Sequence, residues 1–217
     1  MKEGVFITLE GGEGVGKSTN ILFIKQLLED AGVSVVTTRE PGGTAVAEKI
    51  RQLLLENRDE VVSEQAELLL MFAARAQHIY HKIQPALSRG QWVLCDRFTD
   101  ATYAYQGGGR NMDVNMIEWL ESKVQGALRP DVTLLLDAPI EVGMERASKR
   151  GQLDRFELEK HAFFERVRAA YLQRAQQNPQ QIKVINAAQS LTKVQSEIAI
   201  AIQVLLDKYL EQAKGKR

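Results

Sequence analysis

At 217 residues the chain has the length of one α/β domain with a sizeable core. Its 28 lysines and arginines balance 28 aspartates and glutamates, so neither nucleic acid nor an anionic membrane gains long-range attraction, and any basic site must be local. One cysteine, Cys95, excludes an internal disulfide framework and fits a reducing compartment; with no signal-peptide pattern and no apolar run of membrane length, a cytoplasmic protein is expected.

Residues 5–9 are apolar and partly β-branched and read as a first strand. Gly11, Gly12, Glu13, Gly14, Val15, Gly16, Lys17 and Ser18 then give G-x-x-x-x-G-K-[ST], a phosphate-cradling loop. From Thr19 to residue 28 apolar positions recur at helical spacing. Strand, glycine loop and helix thus come in the order the motif needs. Glycines bring backbone N–H groups close to an anion, and the positive end of the next helix adds to them. Residues 11–19 are therefore expected to hold ATP, with Lys17 on the β- and γ-phosphates and the Ser18 hydroxyl on Mg²⁺.

The first helix should end near Ala31-Gly32, and residues 33–38 form a second strand. That strand runs into Arg39-Glu40-Pro41-Gly42-Gly43-Thr44, a turn-rich stretch at the carboxyl edge where α/β sheets bind ligands. Position alone makes Arg39 either an anion contact or a solvated surface residue. Residues 45–55 read as a short amphipathic helix. From Ser63, an N-cap, a long helix runs to about Leu87, with Leu68, Leu69, Phe72, Ala76 and Ile79 facing the core or a partner. Phe72 and Arg75 share a face. They suit a sandwiched base hydrogen-bonded at its edge, or a core phenylalanine with a rim arginine; spacing alone favours the second. His78 and His81 have no third ligand at suitable spacing and read as helix-surface residues.

Residues 92–95 form a third strand ending in Asp96-Arg97. A carboxylate at that tip suits the organisation of Mg²⁺, and Arg97 beside it suits phosphate. Asp137, at the end of the fourth strand over residues 132–136, is the competing carboxylate and is expected to cap the next turn instead. Thr99, Thr102, Tyr103, Tyr105 and Gln106 lead into Gly107-Gly108-Gly109-Arg110, a composition that suits a small-molecule pocket on a flexible glycine run. Asp113 caps a helix over residues 114–126. A helix over 139–147 leads to a basic stretch with Arg146, Lys149, Arg150 and Arg155. It reads as a solvated helix end or as a mobile lid over triphosphate. A long helix over 157–177, a fifth strand over 182–185 and a last helix from Ser190 to about residue 210 complete the chain. Residues 186–188 fall at the carboxyl edge, where an adenine fits.

The alternation predicts an α/β P-loop NTPase fold: a roughly five-stranded parallel sheet flanked by helices, one domain over residues 1–217 with a small lid at about 146–156. The guanine-reading Asn-Lys-x-Asp and the D-x-x-G switch of signalling GTPases are missing, as is an L-S-G-G-Q transporter signature. A small kinase with a second pocket remains. The competing readings are a kinase for another nucleoside monophosphate or a deoxynucleoside, and a P-loop regulatory module with weak hydrolysis.

Five stretches carry a resemblance: residues 11–19, T-R-E-P-G-G-T at 38–44, F-A-A-R at 72–75, D-R at 96–97 with A-Y-Q-G-G-G-R at 104–110, and R-G-Q-L-D-R-F-E at 150–157. In these the chain resembles the thymidylate kinase family. The resemblance implies transfer of the γ-phosphoryl of ATP to dTMP, giving dTDP and ADP on the way to dTTP, with Mg²⁺, in a homodimer formed through the long helices. It implies that Phe72 stacks on thymine and Arg75 hydrogen-bonds it. It places Thr102 and Gln106 in the dTMP pocket, Tyr105 against the sugar 2′ position, and Glu13 near the acceptor's 3′-hydroxyl. Arg39 and Arg97 fall at the acceptor phosphate and transfer site, Asp96 beside them. No basic residue lies between Gly12 and Val15, so transition-state charge is expected from the lid, through Arg150 and Arg155; Ser148 stands where some lid-type members have Arg.

Overall fold

The computed structural model describes residues 4–57, 59–148 and 154–214. In chain order they form β1 (Phe6–Glu10), α1 (Lys17–Asp30), β2 (Val35–Arg39), α2 (Ala45–Leu55), α3 (Glu64–His78), α4 (Gln84–Ser88), β3 (Trp92–Asp96) and α5 (Thr99–Thr102). Then follow α6 (Val114–Gln125), β4 (Val132–Asp137), α7 (Ile140–Ser148), α8 (His161–Gln177), β5 (Ile182–Asn186) and α9 (Leu191–Lys214). The strands form one parallel sheet in the order β2-β3-β1-β4-β5. All five predicted strands are present, each within two residues of its expected start.

β1 sits at the centre and is buried along its whole length. Its alternation feeds two cores: Ile7 and Leu9 join α1 and α9, and Phe6 joins Val93, Leu87 and Phe98 on the opposite face. Thr8 and Thr133, fully buried on neighbouring strands, satisfy each other through a 2.8 Å hydroxyl–hydroxyl bond. Edge strand β5 buries Ile182 and Ile185 and leaves Lys183 and Val184 exposed. Because all strands run the same way, their carboxyl ends open on one edge, and the phosphate loop after β1 lies there.

The long helix over 63–87 begins as expected, with Ser63 accepting from the Ala66 N–H at 3.3 Å. It is not one α-helix. Ile79–Ile83 are π-wound between α3 and α4, immediately before Pro85, whose ring and missing N–H cannot fit an ordinary turn against the carbonyl four residues earlier. The glycine run is a second departure. Residues 103–109 are a π-helical continuation of α5, not a flexible loop. A Cβ on Gly108 would stand 2.7 Å from the Ala170 Cβ and 2.8 Å from the Arg166 carbonyl oxygen. Glycine is there so that α8 can lie against this segment, and Arg166 Nη2 seals the contact by donating to the Gly109 carbonyl at 2.6 Å.

α8 starts at His161 and not at 157. Asp154 Oδ1 accepts from the Phe156 and Glu157 N–H groups at 2.9 and 3.0 Å, closing a separate turn that ends before α8. Of the expected lid, Lys149 and Arg150 lie outside the described residues.

Candidate active site

Gly14 lets the phosphate loop close over α7. It has φ +68°, and a Cβ there would overlap the Gly143 carbonyl. α1 has Gly16 as its N-cap, with no side-chain cap and no acidic residue in its first turn. Its first N–H groups and its positive pole therefore stay available to an anion. Lys17 Nζ donates to the Gly12 and Gly11 carbonyls at 2.6 and 3.1 Å, which folds the side chain back along the loop.

Beside that loop opens a cleft of about 230 Å³, lined among others by residues 13–18, Arg39, Arg51, Asp96 and Arg97. Glu13 is its electrostatic centre. One oxygen, Oε1, accepts from Arg97 Nη2 and from the Tyr105 hydroxyl, both at 2.6 Å. Burial pushes the Glu13 carboxyl up, but Arg97 and Lys17 outweigh it and hold it at about 2, so Glu13 stays ionised. Lys17 moves the other way: burial, then the Arg97 charge, push it down to about 8 against the pull of Glu13 and Asp96.

Arg97 has φ +66°, a left-handed conformation that costs a non-glycine residue about 1 kcal/mol. Its N–H donates to Leu9 O at 3.0 Å, and the Phe98 N–H donates to Glu10 Oε1 at 2.7 Å. Glu10 is fully buried, its other oxygen accepting from Tyr171 at 2.8 Å; burial and the Asp100 charge push its carboxyl up to about 7. The guanidinium of Arg97 lies 4.6 Å over the Tyr105 ring. Arg51 lines the same chamber. Burial, and then the charges of Arg39 and Arg97, lower its affinity for its proton. Three guanidiniums turned toward one space create a demand for an anion such as phosphate.

The far wall belongs to α3, whose residues sort into three faces. Glu67, Met71, Arg75 and His78 fall at i, i+4, i+8 and i+11 on the side of the cleft. Met71 and Arg75 line it. Leu68 and Phe72 point into a core with Tyr103, Ile117 and Leu120. Leu69, Ala73, Ala76 and, just beyond α3, Tyr80 are exposed. The structure thus does not bring Phe72 to the cleft. It is 2% exposed, and the Arg75 guanidinium covers its ring at 4.9 Å.

Arg75 is buried and almost fully engaged. Its Nε donates to Glu40 Oε2 at 2.7 Å, and Nη2 donates to Phe98 O at 3.1 Å and Thr102 Oγ1 at 2.9 Å. Nη1 is buried without a partner among the described residues. A donor left open there, on a residue lining a cleft, is what a ligand acceptor would complete. Gln106 and Thr102 line the same wall, Gln106 donating to Glu67 Oε1 at 2.9 Å.

Arg155 does not line the cleft. Its Nη2 donates to Glu67 Oε2 at 2.6 Å and its Nε to Leu54 O at 2.8 Å, which ties it to α3 and α2. Arg39 lines the cleft while paired to Glu48 at 3.0 Å. Asp137 caps no turn; both its oxygens accept from Arg168, at 2.7 and 2.8 Å. Cys95 is buried, and burial pushes its thiol well above the ordinary range. His78 is not a surface residue but fully buried, whereas His81 is exposed.

Arg51, Glu40, Glu67 and Glu10 were not singled out by the sequence. An acid at a buried helical position, as Glu67 is between Ala66 and Leu68, is the signal that would have found one of them.

A family model described as thymidylate kinase matches residues 9–198. A thymidylate kinase of Pseudomonas entomophila is 60% identical over 212 residues, covering 98% of this chain and 99% of its own length. One from Teredinibacter turnerae is 56% identical over 203 residues, 94% of this chain and 99% of that protein. A crystal structure of thymidylate kinase from Ehrlichia chaffeensis superimposes with a TM-score of 0.74 at 34% identity, covering 92% of this chain and 98% of the other.

Proposed function

The chain belongs to the thymidylate kinase family and transfers the γ-phosphoryl group of ATP to dTMP, giving dTDP and ADP; we propose that the two nucleotides enter opposite ends of the cleft and meet between Lys17 and Arg97. The observation that carries this division is the open Nη1 of Arg75, which gives the α3 wall a buried donor for a base edge. Met71, not Phe72, supplies the apolar contact to that base, since it is the α3 side chain before Arg75 that lines the cleft. Thr102 and Gln106 complete the dTMP pocket. Tyr105 and Glu13 receive the deoxyribose, and Arg39, Arg51 and Arg97 receive the acceptor phosphate. Residues 11–19 hold the triphosphate.

The acceptor phosphate is already an anionic nucleophile, so this chemistry needs no strong base and no covalent enzyme intermediate. The barrier is the approach of two anions. Lys17 and Arg97 lower it by standing where the charges converge, fixed in advance by the loop carbonyls and by Glu13. Mg²⁺ accompanies ATP in this reading. Asp96, whose buried Oδ1 has no partner among the described residues, and the Ser18 hydroxyl fit a cation that takes few protein ligands and otherwise keeps phosphates and water. When bound, it neutralises charge on the β- and γ-phosphates.

Coupled ADP release over dTMP, dUMP, dCMP, dGMP and UMP tests the acceptor assignment. dTMP is the expected best acceptor, and UMP is disfavoured by the Tyr105–Glu13 pair under its sugar. Equal turnover of UMP and dTMP would remove Tyr105 from sugar discrimination. ATP loss without phosphorylation of any acceptor would return the chain to the regulatory-module reading.

We also read the chain as a cytoplasmic homodimer. Among the described residues no helix is long and apolar enough to cross a membrane. Leu69 at 57% exposure and Tyr80 at 72% share one stripe, and Trp119 on α6, which packs on α3, is 60% exposed. Apolar groups so displayed suit a second copy. Sedimentation should give twice the 24.3 kDa chain mass, and Leu69→Glu should halve it.

A further inference from the structure

We infer that His78 is a positioning residue for base recognition, acting on Arg75 through Glu40. Stacking settles the plane of the Arg75 guanidinium, which lies 4.9 Å from the Phe72 ring centre and 5.1 Å from that of Phe98. Where Nη1 points within that plane is settled by the Nη2 bonds to Phe98 O and Thr102 Oγ1 and, at the other end, by the charge-assisted 2.7 Å bond from Nε to Glu40 Oε2. A carboxylate held by one oxygen can still swing about its last torsion. Glu40 is held by both: His78 Nδ1 lies 2.9 Å from Oε1, and His78 is fully buried.

The relay continues one step further. Burial pushes the Glu40 carboxyl up, but Arg75 and His78 prevail and keep it below its usual value, so it is acceptor-only. Nδ1 therefore carries the proton, and Nε2 lies in hydrogen-bond contact with the Thr38 hydroxyl, 2.7 Å away on β2. Space for the ring is cut into the adjoining loop. Gly43 has φ +85°, and a Cβ on it would stand 2.5 Å from Nε2 and 2.6 Å from Thr38 Oγ1. Thr38, His78, Glu40 and Arg75 thus run as one chain of hydrogen bonds from the sheet to the open donor on the cleft wall. His78 is buried behind the cleft wall and does not line the cleft, so its influence on the base is through geometry alone.

The inference rests on Arg75 reading the base, so the experiment includes Arg75→Met. Steady-state constants for dTMP and for ATP are measured separately on wild type, His78→Leu, His78→Asn, Thr38→Val and Arg75→Met. His78→Leu should raise KM for dTMP about tenfold, the scale of one misaligned charge-assisted bond, with KM for ATP unchanged. His78→Asn, whose amide can donate to Glu40 from the place of Nδ1, should restore most of it. Thr38→Val should give a smaller rise of about threefold and serves if His78→Leu does not fold. A general loosening of the core would move both KM values and would not be rescued by Asn. If Arg75→Met raises KM for dTMP and the His78 and Thr38 variants do not, the relay is wrong. If Arg75→Met leaves it unchanged, the base-reading assignment itself falls.

Discussion

Lys17→Ala lowers kcat by about a hundredfold or more, by analogy with the loss of one preorganised transition-state donor. Coupled ADP release at saturating ATP and dTMP measures it. The size follows from where the ammonium sits. It is half-buried at the mouth of the phosphate loop, close enough to Glu13 and Arg97 that both shift it, and with Arg97 it keeps Glu13 ionised. Charge placed there before the reaction need not be assembled during it. A variant within tenfold of wild type would take the loop out of the chemistry.

The same lysine predicts a pH dependence. Burial, then Arg97, push it down to about 8, so the free enzyme loses this cation as pH rises through that value. kcat/KM for ATP should fall across the same interval. kcat reports the complex, in which triphosphate holds the proton, and should fall only at higher pH. A kcat/KM profile flat between about pH 7 and about pH 9.5 would contradict the assignment.

The second large effect separates two adjacent residues. Phe72→Ala should cost about 3–5 kcal/mol of stability, because it empties a closed core position between Leu68, Tyr103 and Ile117. For a chain of this length that lowers Tm by roughly 6–20 °C. Met71→Ala is half-buried and should cost only about 1–2 kcal/mol. It should instead raise KM for dTMP about fivefold to tenfold, the worth of a lost apolar contact at a binding surface. Thermal melts and dTMP titrations, each well below the lower Tm, decide between them. If Phe72→Ala proves the worse dTMP binder of the two, Phe72 does the stacking and its burial in this structure is not that of the complex.

Much of this was legible in the chain. The five strands, the phosphate loop and the start of α3 rest on local periodicity and on contiguous residues, and local windows contain all the information they need. The cleft-facing residue of α3 was not legible. Phe72 and Arg75 at i, i+3 and Met71 and Arg75 at i, i+4 share a face equally well, and one residue of a helix is a turn of about 100°. Which of the two lines the cleft was decided by α6, whose Ile117 and Leu120 take Phe72 into the core. The glycines after Gln106 looked like flexibility because their purpose, close passage of α8, lies some sixty residues further along.

By itself, then, the sequence determined which element follows which and where the glycine loop of the phosphate-binding pattern falls, since both depend on neighbours along the chain. Only the tertiary structure decided how the charges pair. Glu67 collects Gln106 and Arg155 from 39 and 88 residues away, drawing Arg155 back from the cleft. Glu40 fixes Arg75 from 35 residues away. A charge far apart in sequence finds its partner only when burial removes water as the alternative, and burial is a property of the assembled fold.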